Sequence, residues 1–181
     1  MITPEFKTKL ERVRGFLKER SLKGVLLSSR LNFSWLTCGR SNHVRWNLDK
    51  GVASLWVTTQ DVQLWTNVIE KNRFREEEAR GLPFRFRAHP WWRDDKKAWL
   101  PKGRAGSDDG AYGTLNFKEE IAQLRWSLTR EEAGRFRRMG KLSGEAMSEA
   151  AFKVRPGWTE LRAAAELAAA RMRTTLTRTN L

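Results

Sequence analysis

The pattern of apolar residues predicts alternating helices and strands in the first two thirds of the chain. A helical stripe comes first, at spacings of three and four residues: Phe6, Leu10, Val13 and Leu17. Thr3 and Pro4 are typical of its start, and the helix should end before Gly24. A continuous apolar run over residues 25–27 follows and predicts a strand that is covered on both faces.

Strands and helices continue to alternate after this first pair. A short helix is predicted over Asn32–Leu36, with Leu31, Phe33 and Leu36 turned inward. Residues 52–58 and 62–66 are β-rich, and the three residues between them predict a hairpin. The remaining predicted elements are helices over residues 68–80, 94–100 and 115–124 and strands over residues 84–88 and 104–106. This alternation favours an α/β sandwich rather than a helical bundle.

The pattern changes near residue 128. Thr129 and Glu132 have the spacing of a capping box, which predicts the start of a long helix. Pro156 and Gly157 interrupt that helix, and an alanine-rich helix follows from Glu160 to about residue 173. Residues 174–181 lose the helical period. The sequence therefore predicts two parts, an α/β domain over residues 1–127 and helices over residues 128–181.

The chain is strongly basic. Its 35 lysines and arginines exceed the 21 acidic residues, giving a formal charge of +14 and a pI of about 10.7, and nine tryptophans each need a buried or stacked place. The densest basic runs are residues 85–87 and 135–138, and the simpler interpretation of each is a solvent-exposed face. No zinc-finger spacing, RNA-binding aromatic strand or glycine-rich phosphate loop accompanies them. A standalone basic module for nucleic acid or another acidic partner remains the alternative function.

Candidate catalytic groups are few. The single cysteine, Cys38, excludes an internal disulfide framework and a multi-cysteine zinc site, and the two histidines leave few candidates for imidazole metal chemistry. The pairs Asp94-Asp95 and Asp108-Asp109 fit helix capping and a turn better than metal binding, because adjacent side chains diverge. Cys38 lies near His43, but no nucleophile signature surrounds it, and a buried thiol is the simpler interpretation.

No apolar stretch is long enough to cross a membrane, and the first residues do not resemble a secretory signal. We therefore expect no membrane association and a cytoplasmic protein.

Residues 30–46 are the richest segment in chemical groups. They combine aromatic, amide, guanidinium and imidazole side chains around one predicted helix and turn. One interpretation is a core helix followed by an ordinary polar turn. The sharper interpretation is that four of these side chains line the edge of a cavity and meet a ligand or partner: Trp35, Arg40, Asn42 and His43.

The same segment carries a resemblance to a known family. The run Asn-Phe-x-Trp-Leu-Thr-x-Gly-Arg at residues 32–40 resembles the N-terminal domain of creatinase/prolidase-type, pita-bread metallopeptidases, which include Xaa-Pro aminopeptidases and dipeptidases. Further matches follow in the family's order, at residues 42–44, 51–53, 67–70, 90–91, 128–132 and 155–160. The resemblance extends to about Met172.

The resemblance implies a creatinase-like mixed sheet flanked by helices over residues 1–127, followed by the opening helices of a pita-bread catalytic domain over residues 128–181. Full-length relatives would hold a pair of divalent metal ions, Mn, Co or Zn, on two Asp, one His and two Glu of that catalytic domain. Residues 130–181 contain neither Asp nor His. We therefore expect a chain truncated early in the catalytic domain, with no catalytic residue, metal ligand or cofactor of its own.

The role that the resemblance implies is non-catalytic. Such a domain supports a homodimer and covers the active site of its partner, so a peptide substrate is expected only in the full-length context. In this role Trp35 would pack on a proline ring, Arg40 would hold a carboxylate and His43 would bond a substrate terminus. The helices beyond residue 128 would lack their usual cover, which predicts self-association or local disorder around six apolar residues: Phe136, Met139, Met147, Leu161, Leu167 and Met172.

Overall fold

A computed structural model describes residues 3–45 and 47–176, and the chain divides into two compact units, Met1–Ser127 and Leu128–Leu181. The strands of the first unit are β1 (Gly24–Ser29), β2 (Lys50–Val57), β3 (Val62–Asn67), β4 (Phe84–His89), β5 (Ala105–Ser107) and β6 (Leu115–Asn116). Its helices are α1 (Pro4–Glu19), α2 (Arg30–Leu36), α3 (Lys71–Arg73), α4 (Lys96–Trp99) and α5 (Lys118–Gln123). The second unit contains α6 (Arg130–Lys153) and α7 (Glu160–Leu176).

The six strands form one mixed sheet in the order β4-β3-β2-β1-β5-β6. The central pairs β1–β2 and β2–β3 are antiparallel, whereas β3–β4, β1–β5 and β5–β6 are parallel. The predicted hairpin is confirmed, with Val57 opposite Val62 across its turn. The α/β architecture that the alternation predicts is therefore confirmed.

Local sequence signals explain the first helix. The Thr3 hydroxyl accepts a hydrogen bond from the Phe6 amide at 3.2 Å, and Pro4 occupies the first turn, where a missing N–H is harmless. The predicted apolar stripe is buried in full: Phe6, Leu10, Val13 and Leu17. The helix therefore packs its apolar face into the main core, as predicted.

Both faces of the sheet are covered near its centre. Val25 and Leu27 point into the main core with α1 and α2, and Leu26 points into a second cluster with Trp56 and Trp65. The prediction that residues 25–27 form a strand covered on both faces is therefore confirmed. The two tryptophans stack with their ring centroids 5.5 Å apart.

Three local predictions in the first unit are wrong. Leu31 is 66% exposed, because a rotation of 100° per residue places it nearly opposite Phe33 and Leu36 on α2. Residues 68–80 form only the short α3 and one π-helical turn, in which the Ala79 amide donates to the Phe74 carbonyl at 2.7 Å. Residues 115–116 form strand β6 rather than the start of a helix.

The second unit is a pair of packed helices. The predicted capping box is present, since the Glu132 amide donates to the Thr129 hydroxyl at 3.2 Å and the Thr129 amide donates to the Glu132 carboxylate at 2.9 Å. The two helices pack through three buried alanines, Ala146, Ala150 and Ala170. Leu167 is partly buried beside them. Residues 174–176 complete α7, contrary to the predicted loss of helical period, and residues 177–181 lie outside the described residues.

Most of the apolar residues expected to lack cover are exposed. The exposed ones are Phe136, Met139, Met147, Leu161 and Met172, whereas Leu167 is partly buried against the alanines. No helix within the described ranges is both long and apolar enough to span a membrane.

Candidate functional site

A cavity of about 720 Å³ in the first unit is the candidate site. It lies where β1 ends and α2 begins, and α5 and the loop after α2 complete its wall. Three of the four residues proposed from the sequence line it, namely Arg40, Asn42 and His43. Arg30, Asn32 and Asp108 line it as well. The fold therefore gathers most of the chemically rich segment at one opening.

Asp108 fixes the floor of this cavity. Its carboxylate accepts hydrogen bonds from the Ser28 amide at 2.8 Å, the Ser29 amide at 2.9 Å and the Asn32 side-chain amide at 2.7 Å. The residue is only 4% exposed, so three donors compensate a buried charge at the junction of β1 and α2.

The sequence pattern around Asp108 indicated only a turn, not this role. The available signal was topological, because Asp108 directly follows β5, which runs parallel to β1 and ends at the same edge of the sheet.

Asn42 is buried in the cavity wall. Its side-chain amide donates to the Ala53 carbonyl at 2.8 Å, and its own carbonyl accepts from the Val52 amide at 2.9 Å. A side chain at Gly51 would overlap the Asn42 amide, so glycine is the residue that allows this close approach. The side-chain oxygens of Asn42 and Asn32 are buried without a hydrogen-bond partner among the described residues.

The loop that carries Arg40 and His43 is held from one side. The Ser41 amide donates to the Glu78 carboxylate at 2.9 Å, and the Ser41 hydroxyl hydrogen-bonds the His43 Nδ1 atom. The Arg40 guanidinium contacts the Glu77 carbonyl at 3.4 Å, and Arg40 remains exposed. The π-helical turn thus positions both side chains at the opening.

Trp35 is the proposed site residue that the structure places elsewhere. It is 7% exposed and belongs to the main core, so it does not stand at the cavity edge as expected. Lys9 on α1 explains this placement, because its ammonium lies 5.6 Å from the Trp35 ring centroid and donates to the Trp35 carbonyl at 2.7 Å. The same ammonium pairs with Glu5 at 2.6 Å. Burying the large indole in the core stabilises the fold more than leaving it exposed for a ligand would.

Cys38 and His43 do not form a catalytic pair in this geometry. The Cys38 sulfur lies 4.0 Å from the Thr3 hydroxyl and 4.0 Å from the Leu36 carbonyl. Burial, followed by the negative charge of Glu5, raises the pKa of the thiol, which keeps it protonated and weakly nucleophilic.

The paired aspartates make local contacts. Asp94 accepts from the Lys96 amide at 3.1 Å and from the Tyr112 hydroxyl at 2.6 Å. Burial acts to raise the pKa of Asp94, but the hydrogen bonds from Tyr112 and Lys96 outweigh it and leave that pKa below its ordinary value. Burial lowers the pKa of Lys96. Asp109 pairs with Lys50 at 2.9 Å.

The metal pair that the family resemblance implies does not fit the described residues. Nowhere in residues 3–45 and 47–176 do three His, Cys, Asp or Glu side chains converge well enough to hold an ion.

The cavity carries charges of both signs. Arg30 and Arg40 on one side are joined by Lys118 and Arg125 of the α5 region, and Asp49 and Glu119 add carboxylates. Both carboxylate oxygens of Asp108 already accept hydrogen bonds from within the protein. Such a lining suits a small ligand that carries both an ammonium and a carboxylate.

Comparisons with known proteins identify the fold. No family model matches the sequence, and no curated protein matches it. The prolidase from Pyrococcus horikoshii OT3 is similar in structure, with a TM-score of 0.71 and 16% identity over 91% of this chain and 48% of that chain. Dipeptidase PepE from Mycobacterium ulcerans has a TM-score of 0.70 and 16% identity, covering 94% of this chain and 50% of that one.

An X-Pro aminopeptidase from Thermotoga maritima MSB8 gives a TM-score of 0.65 at 14% identity, over 91% of this chain and 49% of that chain. The chain thus spans about half the length of these solved structures. The predicted creatinase-like fold, that of the N-terminal half of prolidase-type structures, is confirmed.

Proposed function

We propose that this chain is a non-catalytic module of a Xaa-Pro peptidase-like protein, which supports a homodimer and covers the mouth of a partner's active site. The main support is that Arg40, Asn42 and His43 line one cavity in a fold shared with half of prolidase-type enzymes. In this proposal the substrate is a peptide with proline in second position, as the name of the similar X-Pro aminopeptidase suggests.

Each residue has a proposed role in holding the peptide. The Arg40 guanidinium, which is exposed and contacts the Glu77 carbonyl at 3.4 Å, binds the terminal carboxylate. His43, oriented by Ser41, hydrogen-bonds the other end of the substrate. Asn42 shapes the wall between them through its bond to Ala53. Trp35 supports α2 from the core instead of stacking on the proline ring.

The chemistry of cleavage belongs to the other half of such an enzyme in this proposal. A divalent metal pair there, of Mn, Co or Zn, would activate a water for attack on the peptide bond. The residues of this chain bind and orient the substrate and exclude water from the mouth.

The test is the kinetic signature of Arg40→Ala and His43→Ala in a protein that joins this module to a metal-binding catalytic half. A group that only binds substrate should raise KM by about tenfold while kcat changes less than about twofold. Lys7→Ala, an exposed lysine on α1, is the matched control and should change neither constant. Unchanged KM in both variants would remove Arg40 and His43 from the substrate site.

A further inference from the structure

A second cavity, of about 760 Å³, lies on the sheet face that carries Trp56. Its lining includes Lys23, Arg85, Arg87 and Trp99, and we call these four residues the basic groove. Arg85 and Arg87 point to the same side because they are two positions apart on β4. Thr58, Gln60 and Gln63 add hydroxyl and amide groups to the lining.

The charge of the basic groove is not neutralised by its surroundings. No Asp or Glu lines the cavity within the described ranges, and neither Lys23 nor Arg87 has a carboxylate within 4 Å there. Arg85 pairs with Asp61 at 3.5 Å, and its side chain is still 80% exposed. Three cations converging on one concave surface favour an anionic ligand, and the chain's charge of +14 favours an anionic polymer.

Aromatic surface adjoins these cations. The Arg87 guanidinium lies 5.4 Å from the Trp99 ring centroid, so the cavity wall is both cationic and aromatic. Just beyond the end of β4, Trp91 and Trp92 are 63% and 70% exposed, with their ring centroids 5.7 Å apart in an edge-on arrangement. Two neighbouring exposed indoles are unusual on a surface that has no partner, and they offer flat faces for stacking.

We propose that the basic groove binds single-stranded nucleic acid, with phosphates on Lys23, Arg85 and Arg87 and unpaired bases on Trp91 and Trp92. This combination of a cationic channel and exposed aromatic faces is how single strands are held without sequence preference. A duplex keeps its base faces stacked, so it gains only the phosphate contacts. An acidic protein lacks the bases that the two indoles would stack on. This site is separate from the peptide-facing cavity and does not depend on the function proposed for it.

Binding of a fluorescein-labelled oligothymidylate of about 12 nucleotides to the whole chain, followed by anisotropy, provides the test. Three phosphate contacts predict an affinity loss of about twentyfold between about 50 mM and about 200 mM salt. A duplex of equal length should bind more weakly, and polyglutamate should compete poorly. No binding at the lower salt, or equal competition by polyglutamate, would overturn the proposal.

Variants locate the site on the molecule. The double variant Lys23→Glu and Arg87→Glu should weaken single-strand binding by about tenfold or more, because it removes two of the three proposed phosphate contacts. The matched control is Lys7→Glu with Lys18→Glu, the same charge change on exposed positions of α1, and it should weaken binding far less. An equal loss in both double variants would show that only net charge matters, which contradicts a groove.

The aromatic contribution is tested separately. Trp91→Ala with Trp92→Ala should weaken single-strand binding by about tenfold or more and leave duplex binding nearly unchanged, since each stacked base contributes at about that level. Trp126→Ala, a tryptophan that is 75% exposed elsewhere in the first unit, is the control. All three positions are exposed, so the fold should tolerate the changes, and equal binding by all variants would contradict the stacking role.

Discussion

Asp108 shows how one buried carboxylate can organise the candidate site. Its two oxygens accept three hydrogen bonds from the end of β1 and the start of α2. Two of the donors are the backbone amides of Ser28 and Ser29, at the end of β1. The side chain therefore sets the direction in which α2 leaves the sheet.

Replacing Asp108 should destabilise the first unit. Asp108→Ala removes an acceptor from the buried Ser28 amide, the partly buried Ser29 amide and the buried Asn32 side chain, so we expect the free energy of unfolding to fall by about 3 kcal/mol in urea titrations. Asp49→Ala is the control, because Asp49 lines the same cavity but is exposed, and its removal should change stability by no more than about 0.5 kcal/mol. Similar losses in the two variants would contradict the role of Asp108.

Gly51 and Asn42 form a second constraint at the scale of single residues. A methyl group at Gly51 would overlap the Asn42 amide and displace it from the Ala53 carbonyl. We expect Gly51→Ala to lower the melting temperature by several degrees, an effect of about 1–2 kcal/mol. Gly15→Ala is the matched control: Gly15 is exposed on α1 with no atom near its added methyl, so the change should be stabilising. A stabilised Gly51→Ala would rule out the contact.

The segment between β5 and β6 shows strain at the scale of an element. Tyr112 has a φ of 61°, and Gly110 and Gly113 on either side also have positive φ values. A tyrosine in the left-handed region is held there by its surroundings, here the hydrogen bond of 2.6 Å from its hydroxyl to Asp94 near α4. Burial, followed by this bond, raises the pKa of Tyr112.

Tyr112→Phe should therefore act in a pH-dependent way. The folded pKa of Asp94 lies below its ordinary value, so its ionised form stabilises the fold above that range, and the contribution is lost as the pH falls through the folded pKa. We expect Tyr112→Phe to lower the free energy of unfolding by about 1 kcal/mol at pH 7, a small effect because the bond is exposed. The decrease should be smaller at about pH 3. Urea titrations at both pH values check this, and a difference that grows toward low pH would contradict it.

Sequence patterns predicted the elements whose burial is periodic. The stripe of α1, the run in β1 and the capping box of Thr129 each depend on neighbours in the sequence, so the predictions were correct. Leu31 was misplaced because α2 is only two turns long, and Trp35 because its cover comes from Lys9, 26 residues earlier. Contacts of this kind depend on tertiary packing, which no local pattern carries.

The candidate site was predictable to a similar extent. The unusual mixture of side chains in residues 30–46 was sufficient to select Arg40, Asn42 and His43, which do share a cavity. Asp108 and Arg125 lie far along the chain, and only the strand order brings them to the same opening. A parallel partner for β1 cannot be identified from periodicity alone.

At the scale of the whole molecule, charge and exposed apolar surface dominate. The second unit exposes Phe136, Met139 and Met147 on α6 and Leu161 and Met172 on α7. Burying such side chains is favourable by roughly 25 cal/mol per Å² of apolar area, which favours association. Together with the proposed dimer, this predicts self-association in solution.

Sedimentation velocity tests this prediction. The natural chain should sediment as a dimer or larger species, and the double variant Phe136→Lys and Met147→Lys should shift it toward the monomer. Because both side chains are exposed, the variant should keep its helical content, and circular dichroism is the check. A monomer at all concentrations in the natural chain would contradict the proposed dimer.

The central proposal is that this chain helps to hold a peptide in a longer peptidase-like protein but does not cut a peptide by itself. The most direct test is an experiment by ¹H NMR. The dipeptide Ala-Pro is added to the purified chain, and Mn²⁺, Co²⁺ and Zn²⁺ are then tried one at a time. We predict that no free alanine or proline forms with any of the three metals. Release of both amino acids in the presence of metal, by a preparation of the 21.0 kDa species alone, would contradict it.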